Sequence, residues 1–302
     1  MTGRAFPDDW MIHPHLIYVN NFLTINIKLF AKSINQITRD PPCAIIEKDS
    51  LIKERYYMEE FYIDNDGVKL HAKLERPGGL DKSPLCILVH GLSGNMEEDH
   101  IIKAKDAMID SGVAVLRVEM YGHGMSSGEY RDHTIYKWVT NALAVLKYAK
   151  ELDFVTDLYM SGHSQGGFLT VLIAGMCPDD FKAILPLSPA LCIPDDARSG
   201  KMLSYVFDPL HIPEVLIKDQ WILGGDYVRV AQTFHIEDEI RRYNGPVYIV
   251  HGDADETVPY SYAEWADKLY EDSTLVNIKG ANHCFTEHLD ELYDAVKNFF
   301  GQ

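Results

Sequence analysis

The residues best suited to chemistry in this chain are Gly162-His163-Ser164-Gln165-Gly166, set between an apolar run at 158–160 and a stretch rich in Leu, Ile and Ala. This pattern predicts a strand that turns sharply into a helix, with the serine at the apex of a G-x-S-x-G turn. Ser164 must then adopt an unusual backbone conformation, and Gly162 and Gly166 let neighbouring chain pass without Cβ clashes. A hydroxyl nucleophile needs a base, a group that orients the base, and donors for the oxyanion. On such a turn the partners follow in the order Ser, then Asp or Glu, then His. Downstream, His251-Gly252-Asp253-Ala254-Asp255-Glu256 closes a strong strand, and Asp255 is favoured over Asp253 and Glu256 as the orienting carboxylate. His283, in Gly280-Ala281-Asn282-His283-Cys284-Phe285, is the expected base. The oxyanion amides are expected at Gln165 and at Leu92, in the loop His90-Gly91-Leu92-Ser93-Gly94-Asn95.

Other motifs read more plainly. Gly122-His123-Gly124-Met125-Ser126-Ser127-Gly128 resembles a dinucleotide fingerprint, but its third glycine is misplaced and no helix opens there. It reads as a loop at the mouth of the site. Asp64-Asn65-Asp66-Gly67 lacks the first acidic ligand of a calcium loop, because Tyr62 stands there. No cofactor and no metal is therefore expected. His163 is expected to pack under the turn, and His251 to be structural. His13 and His15 fall in an N-terminal stretch with no assigned role.

The elements that must position these groups alternate along the chain. Strands are expected at 61–63, 70–74, 85–89, 113–118, 158–160, 183–187, 247–250 and 275–278. Helices are expected at 96–110, 135–152, 165–176, 261–270 and 289–300. Such alternation demands a mostly parallel sheet with helices on both faces, an α/β architecture. Asn65-Asp66-Gly67 predicts a tight hairpin between the first two strands. The runs 86–89 and 247–250 show no alternation, as buried parallel strands should not. Roughly fifty residues separate two core strands at about 189–242, an interval expected to form an inserted cap or lid. Residues 1–57 form an extension of unknown role with a linker-like Pro41-Pro42, and 58–302 form the main domain.

A length of 302 residues accommodates one large α/β domain or two small ones. Lys plus Arg number 28 against 45 Asp plus Glu, and the net charge of −17 argues against nucleic acid and anionic membranes as partners. The five cysteines (Cys43, Cys86, Cys177, Cys192, Cys284) are scattered without C-x-x-C, which suggests neither disulfides nor zinc. Residues 16–30 are interrupted by Asn20, Asn21, Asn26 and Lys28 and fall short of a membrane span, and no secretory signal is read. The expected location is cytoplasmic. A homodimer is left open.

With these residues in view, the chain from Met58 to Phe300 resembles the α/β-hydrolase superfamily, and within it the bacterial cinnamoyl/feruloyl esterases. G-H-S-Q-G-G and G-A-x-H-C-F carry the resemblance, as do cap segments His211-Ile212-Pro213 and 223–232, Leu-Gly-Gly-Asp-Tyr-Val-Arg-Val-Ala-Gln. The resemblance implies a serine esterase acting through an acyl-enzyme on hydroxycinnamoyl esters. It also implies that cap side chains, here Asp196 and Tyr227, reach hydroxyls on the acyl ring. Where relatives carry a cap glutamine, this chain has Leu203, which implies a broader acyl range. The alternatives are a general carboxylesterase or monoacylglycerol-type lipase, and a non-hydrolytic small-molecule receptor on the same fold.

Overall fold

The computed structural model describes residues 56–301 apart from 219 and 220. The expectations for Pro41-Pro42, His13, His15 and Cys43 lie outside the described residues. The chain opens with β1 (Tyr56–Asn65) and β2 (Val68–Pro77), an antiparallel hairpin joined through Asp66 and Gly67. Both turn residues have positive φ, 51° and 86°, which matches the right-handed twist of the flanking strands. There follow β3 (Ser83–Val89), α1 (Asp99–Asp110), β4 (Ala114–Val118), α2 (Ile135–Lys150), β5 (Val155–His163), α3 (Gln165–Met176) and β6 (Ala183–Leu187). After an interval described below come β11 (Val247–Gly252), α7 (Ser261–Asp267), β12 (Ser273–Ile278) and α8 (Leu289–Phe300).

These strands build one eight-stranded sheet in the order β1-β2-β4-β3-β5-β6-β11-β12. Pairing is antiparallel through β1, β2 and β4, and parallel from β4 onward. This is the α/β architecture expected from the alternation of elements, in the α/β-hydrolase form that the family resemblance implies. All five residues of β4 and of β6 are buried, as strands covered by helices on both faces must be. Two apolar clusters result. The larger holds Trp138, Phe168 and Leu172, and the smaller packs Ile101 and Met108 of α1 against Leu292 and Val296 of α8. An ion pair is buried among them: Arg117 on β4 donates twice to Glu75 on β2, at 2.6 and 2.9 Å.

Between β6 and β11 the chain makes α4 (Ile193–Ser199), the short pair β7 (Lys201–Met202) and β8 (Tyr205–Val206), and the hairpin β9 (Val215–Lys218) and β10 (Trp221–Gly224). Helices α5 (Gly225–Ala231) and α6 (Ile236–Arg242) complete the interval. Among the described residues, no helix is long and apolar enough to cross a membrane.

Candidate active site

Ser164 sits between β5 and α3 with φ 57° and ψ −116°, a region an L-residue occupies only when its surroundings enforce it. Here the backbone is pinned from three sides. The Ser164 N–H donates to Leu187 O at 3.0 Å, and its carbonyl accepts from Phe168 and Ala190. A Cβ on Gly162 would lie 2.4 Å from the Gly166 backbone, and one on Gly166 would lie 2.4 Å from Val89 O. No side chain fits at either position, which is why the turn is framed by glycines.

His283 lies in the loop between β12 and α8. Its Nδ1 meets Asp255 Oδ2 at 2.7 Å, and its ring lies 4.7 Å from that of His163, the residue preceding the serine. His163 Nε2 also donates to the His283 carbonyl at 2.8 Å, so both ring and backbone of His283 are fixed beside the turn. The expected packing of His163 under the turn is thus realised with an added tie. Burial, then the neighbouring His100 and His283, hold the His163 imidazole well below its usual range and keep it neutral. His100 lies 4.1 Å behind it and is pushed down to about 4 by burial.

Asp255 sits on the loop after β11, its side chain fully shielded. Oδ1 accepts from the Thr257 and Val258 amides, both at 2.8 Å, and Oδ2 accepts from His251 Nε2 at 2.9 Å as well as from His283. Burial opposes its ionisation, but the His251 and His283 donors outweigh it and hold the carboxyl well below the usual range. The neighbouring acids separate cleanly. Asp253 accepts from Gly280 N and Asn277, bracing the His283 loop, and Glu256 is exposed.

The Leu92 and Gln165 amides have no acceptor among the described residues. The loop that carries Leu92 is held by two buried histidines. His90 Nδ1 donates to Gly91 O at 2.7 Å while its Nε2 accepts from Met120 N, and His123 Nε2 bonds the Leu92 carbonyl. Burial pushes His90 down to about 3, so it stays neutral in that tautomer. The segment at 122–128 is therefore a brace for the loop before α1. Glu119 anchors it by accepting from Met125 N at 2.7 Å.

Beside the serine lies a narrow pocket of about 30 Å³. Leu92, Ser164, Gln165, Asp196, Leu203 and Tyr227 all line it, and Cys192, Ile193, Met202 and Val258 supply apolar wall. Asp196 on α4 is half-buried. Burial raises its carboxyl, and a bond with the Cys192 thiol partly offsets that. Tyr227 on α5 differs from the expectation in one respect: its hydroxyl, fully buried, donates to Gln165 Oε1 at 2.5 Å. Leu203, in the turn between β7 and β8, has φ 51° and is 43% exposed. His251, read from the sequence as a strand-end residue, touches the carboxylate itself. A histidine four positions before an acid across a strand-end glycine was the available signal.

The Hydrolase_4 family model (serine aminopeptidase, S33) matches residues 81–223. Est1E from Butyrivibrio proteoclasticus, solved with ferulic acid bound, superposes with a TM-score of 0.78 and is 51% identical, covering 79% of this chain and 97% of its own. The chain belongs to the α/β-hydrolase family of serine hydrolases. More distant relatives of this hydrolase include human protein ABHD12B, 27% identical over 63% of this chain and 50% of its own length. Mouse monoglyceride lipase is 22% identical over 78% of this chain and 86% of its own. The hydrolase thus spans half the length of ABHD12B.

Proposed function

We propose that the hydrolase cleaves carboxylic esters through an acyl-enzyme on Ser164, and that its substrates are hydroxycinnamoyl (feruloyl and cinnamoyl) esters. Ser164 Oγ attacks the ester carbonyl while His283 Nε2 takes its proton. Asp255 holds the imidazole with its proton on Nδ1 and stabilises the imidazolium that forms. The Leu92 and Gln165 amides receive the oxyanion, and His283 then protonates the departing alcohol. Water releases the acid by the reverse sequence. No cofactor or metal enters the scheme.

The observation that carries the substrate class is the 51% identity to Est1E along 97% of that chain, in a structure that holds ferulic acid. The pocket agrees with it. Asp196 and the Tyr227–Gln165 pair are polar groups in an otherwise apolar wall, fit to meet a phenolic oxygen. On this reading 189–242 act as the cap on a domain of 58–302, with 1–57 an extension of unassigned role. The surplus of acidic residues supports an enzyme that avoids nucleic acid and anionic membranes, and the scattered cysteines without C-x-x-C suit a reducing, cytoplasmic setting.

A second reading, a carboxylesterase for short or medium acyl chains, is favoured by Leu203, which lines the pocket with an alkyl group. Turnover of methyl ferulate and p-nitrophenyl butyrate by wild type, Ser164→Ala and Leu203→Gln tests both. The proposal predicts higher kcat/KM on the ferulate, its loss in Ser164→Ala, and a sharpened preference for hydroxylated rings in Leu203→Gln. Higher kcat/KM on the butyrate selects the second reading. Undiminished turnover by Ser164→Ala defeats both.

A further inference from the structure

We propose that His251 is a positioning residue of the catalytic site, sharing one oxygen of Asp255 with His283 and so setting how much carboxylate charge reaches the base. The inference rests on the reading of Ser164, His283 and Asp255 as nucleophile, base and orienting acid. His251 is fully buried at the end of β11, its ring 5.5 Å from that of Tyr260. Its Nε2 reaches Asp255 Oδ2 at 2.9 Å, and its Nδ1 has no partner among the described residues. An apolar side chain would fill such a place without desolvating two ring nitrogens and leaving one unpaired. Packing therefore does not explain a histidine here. The Oδ2 contact does.

The stoichiometry of the carboxylate gives that contact its consequence. Oδ1 is occupied by the Thr257 and Val258 amides, so its orientation is already set by backbone. Oδ2 divides its charge between two imidazoles. Each N–H on that oxygen weakens the other, and a donor at His251 tempers the hold of Asp255 on the His283 imidazolium. Removing that donor leaves His283 as the sole claimant of Oδ2, which stabilises its protonated form. The other groups facing His283 are His163 and His100, both kept neutral by burial, with Glu98 ahead of α1 and the adjacent Cys284. None of them contacts His251, so a change confined to His251 is read through Asp255.

The test is kcat/KM against pH for the full chain on a chromogenic ester, comparing wild type, His251→Met and His251→Gln. Methionine removes the donor at similar bulk, and glutamine keeps an N–H at similar reach. The acidic limb of His251→Met is expected to move up by about half a pH unit, a roughly threefold gain in proton affinity. The limb of His251→Gln is expected at the wild-type position. Superposition of the methionine and wild-type limbs overturns the proposal, as does a glutamine limb displaced as far as the methionine one. If His251→Met fails to fold by circular dichroism, His251→Asn, whose shorter amide withdraws the donor, takes its place with the same two outcomes. Wild type that turns over no ester and leaves Ser164 unlabelled by a fluorophosphonate refutes the catalytic reading and this inference with it. An active wild type with unmoved limbs refutes His251 alone.

Discussion

Replacing Asp255 by asparagine probes the site at its most constrained point. The carboxylate accepts four hydrogen bonds, two backbone amides on Oδ1 and two imidazoles on Oδ2. An asparagine must turn its NH2 toward one of these pairs. The Thr257 and Val258 amides cannot reverse their polarity, whereas an imidazole can exchange its tautomer. The amide oxygen therefore faces the backbone, and the NH2 faces His251 and His283. His283 must then accept at Nδ1 and carry its proton on Nε2, where it can no longer take a proton from Ser164. Loss of the tautomer is expected to cost on the order of 10⁴ in kcat, or about 5.4 kcal/mol. The variant should remain folded, because the replacement is isosteric. A pH signature accompanies it. The Asp255 carboxyl is held well below the usual range in the fold. Its ionised form thus stabilises the wild type above the unfolded value of about 3.9, and that contribution is lost as the pH falls toward the folded value. The stability gap between wild type and Asp255→Asn should be widest near neutrality and close in acid. Steady-state turnover of methyl ferulate, with denaturant melts at several pH values, measures both effects. A folded Asp255→Asn that loses less than tenfold in kcat would refute the tautomer argument.

Three further outcomes follow from the same geometry. Tyr227→Phe removes the hydroxyl that donates to Gln165 Oε1 and leaves a buried acceptor unpaired, so denaturant melts should show a loss of about 1–3 kcal/mol. Burial raises the Asp196 carboxyl, and its ionised form is the stronger acceptor from a phenol. The kcat/KM ratio of methyl p-coumarate to methyl cinnamate should accordingly climb with pH through the Asp196 titration and stay flat in Asp196→Asn. Gly166→Ala places a Cβ 2.4 Å from Val89 O and 2.5 Å from His90 O, both immovable backbone. It should abolish turnover together with fluorophosphonate labelling of Ser164, and retained labelling would contradict the steric argument.

The parts of the fold that were legible in the sequence are those that local chemistry dictates. Helix 165–176, strand 183–187 and helix 289–300 begin and end where expected, because glycines, prolines and uninterrupted apolar runs mark them. The first long helix starts at Asp99, three residues later than expected. Asn95 and Glu98 form a local network there instead, with the Glu98 carboxylate accepting from Asn95 N and the Asn95 side chain from Glu97 N. Strand β5 extends well beyond 158–160, since Ser161 and Gly162 are buried by the turn they lead into and carry no apolar signal of their own. The hairpins of the 189–242 interval gave no sign either, as strands of two or four residues are too short to alternate. In the site, Ser164, Asp255 and His283 could be chosen because chain order and loop position restrict them. The braces are mostly not restricted in this way. His90 and His123 are joined to the site by contacts across 1 and 31 residues of sequence, which spacing does not encode, whereas His163 adjoins the serine and His251 stands four residues before Asp255.

The central claim is that the Ser164 oxygen carries the acyl group between the two halves of the reaction. Intact-protein mass spectrometry of the enzyme quenched in acid during turnover of a feruloyl ester, followed by peptide mapping, tests it directly. The account predicts a single feruloyl adduct on the peptide containing Ser164, absent from Ser164→Ala. Turnover with no adduct under any quench, or an adduct on another residue that persists in Ser164→Ala, would contradict it.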